Sequence, residues 1–225
     1  MVKKQGSEKE RFIQRKGPKQ DRSRVTVDSI RQATMDLLAK DGFVSLSTAK
    51  ISKRAGVSAG TFYDYFPNKE ALLMNLFEST SSKLVVAMRD FMASVLEMHA
   101  EQVITKGVKQ LLLLHEEHKL VVIDMVRELP ELRLAEHPLS FGHLGRGSLL
   151  IFLQHRARHL KFEDLECKAF FIHQVLTSSI REYLANPVPY ISRQKFIENL
   201  TQILTAYAKT IIDPKQPTLD MATSS

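Results

Sequence analysis

From residue 26 onward, apolar residues recur at spacings of three and four and no long stretch alternates with a period of two, so the pattern predicts an all-α protein. Thr26 is placed to cap a first helix with Ile30, Ala33, Leu37 and Leu38 as its buried stripe. Gly42 supplies a left-handed stop there, with Phe43 folding back on Leu38. Ser47 reads as the N-cap of a short second helix that turns Ile51 and Ala55 inward and stops at Gly56. Ser58 caps a third helix with Phe62 and Phe66 on its inner face, and Pro67 ends it. Asn68 then caps a longer fourth helix, with Glu70 in its first turn and Leu72, Leu73, Leu76 and Phe77 as its early stripe.

Beyond about residue 80 the chain is richer in Leu, Met, Phe and His, which predicts a second, larger helical domain sharing the long helix as its link. The periodicity places helices near 81–99, 101–115, 117–135, 145–160, 163–186 and 191–212. A loop at 137–147 carries Pro138, Gly142, Gly145 and Gly147, and Pro187 and Pro189 separate the last two long helices. The expected organisation is an arm over 1–24, a three-helix domain over 25–70, a larger helical domain over 71–213, and a flexible tail over 214–225.

Two short helices joined through Ala55-Gly56-Val57-Ser58 have the turn chemistry of a helix-turn-helix, because the sharp turn needs a residue tolerant of positive φ. The third helix is then the reader. Its opening residues Ser58, Ala59, Gly60 and Thr61 are small enough to let the helix N-terminus approach the major groove and a phosphate. With Phe62 and Phe66 inward, Thr61 and Tyr63 are free to hydrogen-bond bases or phosphate, whereas Asp64 can either accept from cytosine N4 or sit at the edge paired with a basic neighbour such as Lys53 or Lys69.

The run Gly56-Val57-Ser58-Ala59-Gly60-Thr61-Phe62-Tyr63-Asp64-Tyr65-Phe66-Pro67-Asn68-Lys69-Glu70-Ala71-Leu72 resembles the signature of the TetR/AcrR repressor family. Ile30, Ala33, Leu37, Gly42-Phe43, Ser47 and Ile51 extend the resemblance over roughly residues 26 to 77. It implies a homodimer on a palindromic double-stranded DNA operator, released by a small effector bound in the C-terminal domain. It also implies that Ser47, Thr61, Tyr63 and Lys69, with Tyr65 as a further position, touch DNA. Two positions depart from the family pattern: Ala49, where relatives carry a basic or polar residue, and Ser52, where a buried alanine is usual.

The net charge of +7 is concentrated at the N-terminus, where residues 1–24 hold nine basic and three acidic side chains. Such an arm attracts phosphate by counterion release, and Arg15-Lys16-Gly17-Pro18-Lys19 has the character of a minor-groove segment. One cysteine, Cys167, gives no internal disulfide, and no apolar run reaches the roughly 20 residues that span a bilayer. A cytoplasmic, nucleoid-associated protein without membrane contact is expected.

The last two helices are the dimerisation candidates, through Phe170, Ile172, Leu176, Ile180 and Tyr183 on one and Phe196, Leu200, Ile203, Leu204 and Tyr207 on the other. An apolar or amphipathic effector is expected among the preceding helices, lined by Met88, Met125 and Phe152 with polar contacts from His115 and His173; Phe91, Met92, Met98 and His143 are further candidates. His155 and His159 share a helix face but lack a third ligand, so neither a metal nor another cofactor is expected. No nucleophile–base set with catalytic spacing is visible, which argues against an enzyme. The remaining alternative keeps the DNA binding and makes the second domain a protein-partner module without a small ligand.

Overall fold

The computed structural model describes residues 21–157 and 160–212, so residues 1–20 of the basic arm, His159 and the tail lie outside the described residues, while 21–24, read as part of the arm, open the first helix. Helices are its only regular elements there: α1 (Asp21–Asp41), α2 (Thr48–Ala55), α3 (Ala59–Tyr65), α4 (Lys69–Ser94), α5 (Ala100–Glu117), α6 (Met125–Glu128), α7 (Phe141–Arg156), α8 (Phe162–Ala185) and α9 (Arg193–Ile212). No described helix is long and apolar enough to cross a membrane.

Local chemistry explains the first four elements. Gly42 adopts φ 73° and donates its N–H to Leu38 O, closing α1. The Ser47 hydroxyl accepts from Lys50 N, and Gly56 at φ 69° ends α2. The Ser58 hydroxyl accepts from Thr61 N at 3.0 Å, and Asn68 Oδ1 accepts from Ala71 N at 2.7 Å. Thr26 is not a cap: α1 begins upstream of it, at Asp21.

Three later expectations are corrected. The fourth helix and the one read near 81–99 are one continuous α4, because nothing between them breaks the ladder. The helix read over 117–135 is instead a π-helical turn at Leu120–Asp124, the short α6, and two 3-10 turns at Pro130–Leu132 and Leu134–Glu136. Pro130 lacks the N–H that would continue α6, and Arg133 sits in the left-handed region at φ 48°. Conversely, the glycine-rich loop is helical from Phe141. Gly145 is buried there, and a Cβ on it would lie 3.1 Å from His173 Nε2 and 3.3 Å from Phe141 Cζ, so packing selects glycine.

The chain divides into two compact units, and the division is not the cut at residue 70 read from sequence. The first runs to Ser81 and also takes in Leu120–Ser140. Its core joins Ile30, Ile51, Phe62, Phe66 and Leu72 to Val121, Met125, Leu132 and Leu134. His137 adds an edge-on contact to Phe77, and its Nε2 lies 3.3 Å from Glu78 Oε1. The second unit comprises Ser82–Lys119 and the chain from Phe141 onward. It holds a cluster of Leu153, Ala157, Leu165, Ala169 and Ile211, and α8 and α9 meet where Tyr183 stacks on Phe196 at 4.2 Å.

Candidate nucleic-acid interface and ligand cavity

In the first unit, Phe62 and Phe66 are fully buried and fix the rotation of α3. That leaves Ser58, Ala59, Gly60 and Tyr63 exposed and Thr61 half-buried. The Ser58 and Thr61 hydroxyls lie 2.9 Å apart at the helix start. The Tyr63 hydroxyl lies 3.2 Å from Thr48 Oγ1, so the openings of α2 and α3 present hydroxyls as one group. Ser47 is half-buried as the α2 cap, and Lys69 Nζ comes within 3.5 Å of Leu46 O. Backbone N–H groups, small side chains and hydroxyls at a helix N-terminus are what phosphate and base edges require.

Tyr65 does not join this face. Its ring is 9% exposed and packs in the core beside Phe62 and Leu72, because at i+3 from Phe62 it turns inward. Thr48, adjacent to the Ser47 cap, escaped the sequence reading; the signal for it was its place at the start of the second helix. The pose of α2 against α1 is held by Arg54, which donates from Nε and Nη2 to Asp36 Oδ2 at 3.1 and 2.6 Å. Hydrogen bonds from Arg54 and Gln32 hold the Asp36 carboxyl below the usual carboxylate range.

The second unit contains a cavity of about 680 Å³. Met88, Phe91, Met92, Met98 and Phe152, all singled out from sequence, line it. Met125 does not, because it is fully buried in the core of the other unit. His115 and His173 also lie outside this lining; they flank the Phe141 ring at 5.5 and 6.1 Å between centroids. Leu111 O can only accept, so His115 Nδ1 carries the proton in their 2.9 Å hydrogen bond. Burial pushes both imidazoles down to about 4; nearby Arg181 lowers both, and Arg146 lowers His173 as well. His143 is exposed.

The dimer stripe read from sequence is split between two roles. Ile180, Leu200 and Leu204 are buried within the unit and Ile172 and Leu176 line the cavity, while Phe170 and Ile203 stay exposed, as does Phe171, which the sequence reading did not include. Among the described residues no group of three metal-ligating side chains converges.

Two short helices joined by a positive-φ glycine, with the second presenting a small, hydroxyl-rich N-terminus, make the first unit a helix-turn-helix module. Residues 30–76 match the family model described as bacterial regulatory proteins, tetR family. Over that stretch the chain carries a domain similar to the DNA-binding domain of the tetR family. The fatty acid metabolism regulator protein of Bacillus subtilis is 36% identical over 61 residues, which are 27% of this chain and 31% of that protein. An uncharacterized HTH-type regulator of the same organism, YdeS, is 39% identical over 61 residues, with the same shares. The chain thus spans about a third of the length of these curated relatives.

Solved structures share the fold over most of the chain. A protein described as a TetR-family regulator from Mesorhizobium loti superposes with a TM-score of 0.69 at 20% identity, covering 85% of this chain and 98% of that one. The Thermus thermophilus repressor FadR in complex with lauroyl-CoA gives 0.55 at 22% identity, covering 88% of this chain and all of that one.

Proposed function

We propose that this chain is a dimeric transcriptional repressor that holds a palindromic DNA operator and lets go of it when a small amphipathic effector enters the second unit. The observation that carries the DNA half is the exposed N-terminus of α3, where Ser58, Ala59, Gly60, Thr61 and Tyr63 leave the helix end open to a groove. Ser47 and Lys69 flank it and contact phosphate. The basic arm strengthens binding to any duplex, and the protein works in the cytoplasm on chromosomal DNA.

The effector half is supported by the size and apolar lining of the cavity, which falls within the range of ligand sites. The lauroyl-CoA bound to the Thermus repressor and the name of the Bacillus relative make an acyl-type molecule the effector of choice. Dimerisation is supported by the exposed Phe170, Phe171 and Ile203 on α8 and α9, since apolar side chains this size cluster at interfaces between subunits. A ligand-sized cavity also favours this reading over a partner module with a filled core.

The test is selection from random-sequence duplexes at two salt concentrations, with the full chain and with a chain lacking residues 1–24. A palindrome recovered by both, with a shallower salt dependence for the shorter chain, supports the reading. No enriched sequence overturns it.

A further inference from the structure

The cavity in the second unit has a direction, and its two ends differ chemically. Five helix segments line it in register: α4 from Met88, α5 back from Val108, α7 from Leu149, α8 back from Leu176, and α9 from Leu204. Met88, Val108, Leu149, Leu176 and Leu204 make this end wholly apolar. Toward the other end the lining passes Phe91 and Phe152 and reaches Glu97, His99, His155 and Arg156, the end that faces water. From Ala100 to Val108 along α5 the distance is about 12 Å at 1.5 Å per residue. The volume of 680 Å³ holds on the order of 20 non-hydrogen atoms at about 30 Å³ each.

The charges at the open end are not equivalent. Glu97, His99 and His155 are exposed. Arg156 is half-buried, and one of its guanidinium nitrogens, Nη1, donates to Leu96 O, which ties the side chain across the loop between α4 and α5. A tethered, partly desolvated guanidinium beside an apolar chamber attracts an anion more strongly than a hydrated carboxylate at the rim attracts a cation.

Resting on the reading of this cavity as the effector site, we infer that its ligand is an organic anion, with an apolar body of roughly 10 to 15 carbons toward Met88 and its acidic head at Arg156. The guanidinium has further N–H groups for a carboxylate or phosphate while Nη1 keeps its bond to Leu96. Arg156 then sets the charge class of the ligand, and the Met and Phe walls set its length.

The experiment is calorimetric titration of the full chain, without DNA, with three probes of equal chain length below their micelle concentrations: dodecanoate, 1-dodecanol and dodecyltrimethylammonium. The inference expects dodecanoate to bind at least tenfold more tightly than dodecyltrimethylammonium. It also expects Arg156→Gln to weaken dodecanoate at least tenfold while changing 1-dodecanol less than threefold. The at least tenfold preference of the native chain for dodecanoate over dodecyltrimethylammonium is read without any substitution and covers the case in which Arg156→Gln fails to fold. Binding of none of the probes, equal binding of all three, or preference for the cation with its loss in Glu97→Gln overturns the inference. Operator selection involves no ligand, so failure of the DNA reading is seen there and failure of this inference in the titration.

Discussion

Moving from about pH 7.5 to about pH 5 should cost this protein stability through His115 and His173. Burial holds both at about 4, against 6.5 for a solvated imidazole. A histidine whose folded pKa is depressed binds its proton more readily in the unfolded chain, so acid favours unfolding; the loss begins near 6.5 and is complete below about 4. At 1.36 kcal/mol per tenfold, each site forfeits about 2 kcal/mol at pH 5 and about 3 kcal/mol at the acid limit. Arg146, Arg181, His118 and His143 around the pair are all basic, so no neighbouring carboxylate rescues the charged forms. For the two together we expect a loss of about 3 to 4 kcal/mol at pH 5, a large part of the 5 to 15 kcal/mol that holds a typical domain folded. The assay is urea unfolding followed by far-ultraviolet circular dichroism, at one protein concentration, for the native chain and a His115→Gln/His173→Gln double variant. Carboxylates titrate in both proteins and cancel in the difference. If the native chain and the double variant lose the same stability between the two pH values, to within about 0.5 kcal/mol, burial of these imidazoles does not set the acid sensitivity.

Four further outcomes follow from single side chains. Ser52 is buried and its hydroxyl has no hydrogen-bond partner, so Ser52→Ala should raise stability by about 1 kcal/mol in thermal unfolding, and a lower midpoint contradicts the account. Gly145→Ala should lower stability by about 1 to 3 kcal/mol through contact with His173 and Phe141; helix propensity alone would give a gain of about 1 kcal/mol, so the sign decides. Tyr63→Phe removes the hydroxyl shared with Thr48 and should weaken binding to a selected operator about two- to tenfold; unchanged affinity places Tyr63 away from DNA. Met125→Ala should cost about 2 to 5 kcal/mol in the DNA-binding unit, read as faster amide exchange in α1 and α2, and unaltered exchange there refutes its place in that core.

The N-terminal elements were legible because their signals are local. Ser47, Ser58 and Asn68 cap within three residues of themselves, Gly42 and Gly56 take positive φ, and Phe62 and Phe66 set the rotation of α3. Tyr65, read as a further DNA-facing position, is buried in the same core cluster as Phe62 and Leu72, a difference its residue type does not signal because a tyrosine can serve either face of a helix. In the cavity, the Met and Phe stripes were readable from their spacing. His115 and His173 have the same spacing and lie around Phe141, because helical periodicity gives a residue's face and not the neighbour that face meets. Glycines misled for a related reason: Gly145 reads as a helix breaker by propensity, yet its place inside α7 is set by an imidazole from α8.

The segment Leu120–Ser140 is where local reasoning fails most completely. Its apolar residues have helical spacing, but Pro130 and the left-handed Arg133 break it into short turns. Turns this short cannot bury a stripe against one another; their apolar side chains need a surface supplied by another part of the chain. That surface is the helix-turn-helix core: Val121, Met125, Leu132 and Leu134 close it, and His137 fastens the end to Phe77 and Glu78. The family match stops at residue 76, yet the core that match defines is completed by residues more than forty positions later. The chain therefore passes between the units three times, after Ser81, after Lys119 and after Ser140. The segment between α5 and α7 thus contributes its side chains to the helix-turn-helix core while both of its flanking helices belong to the other unit.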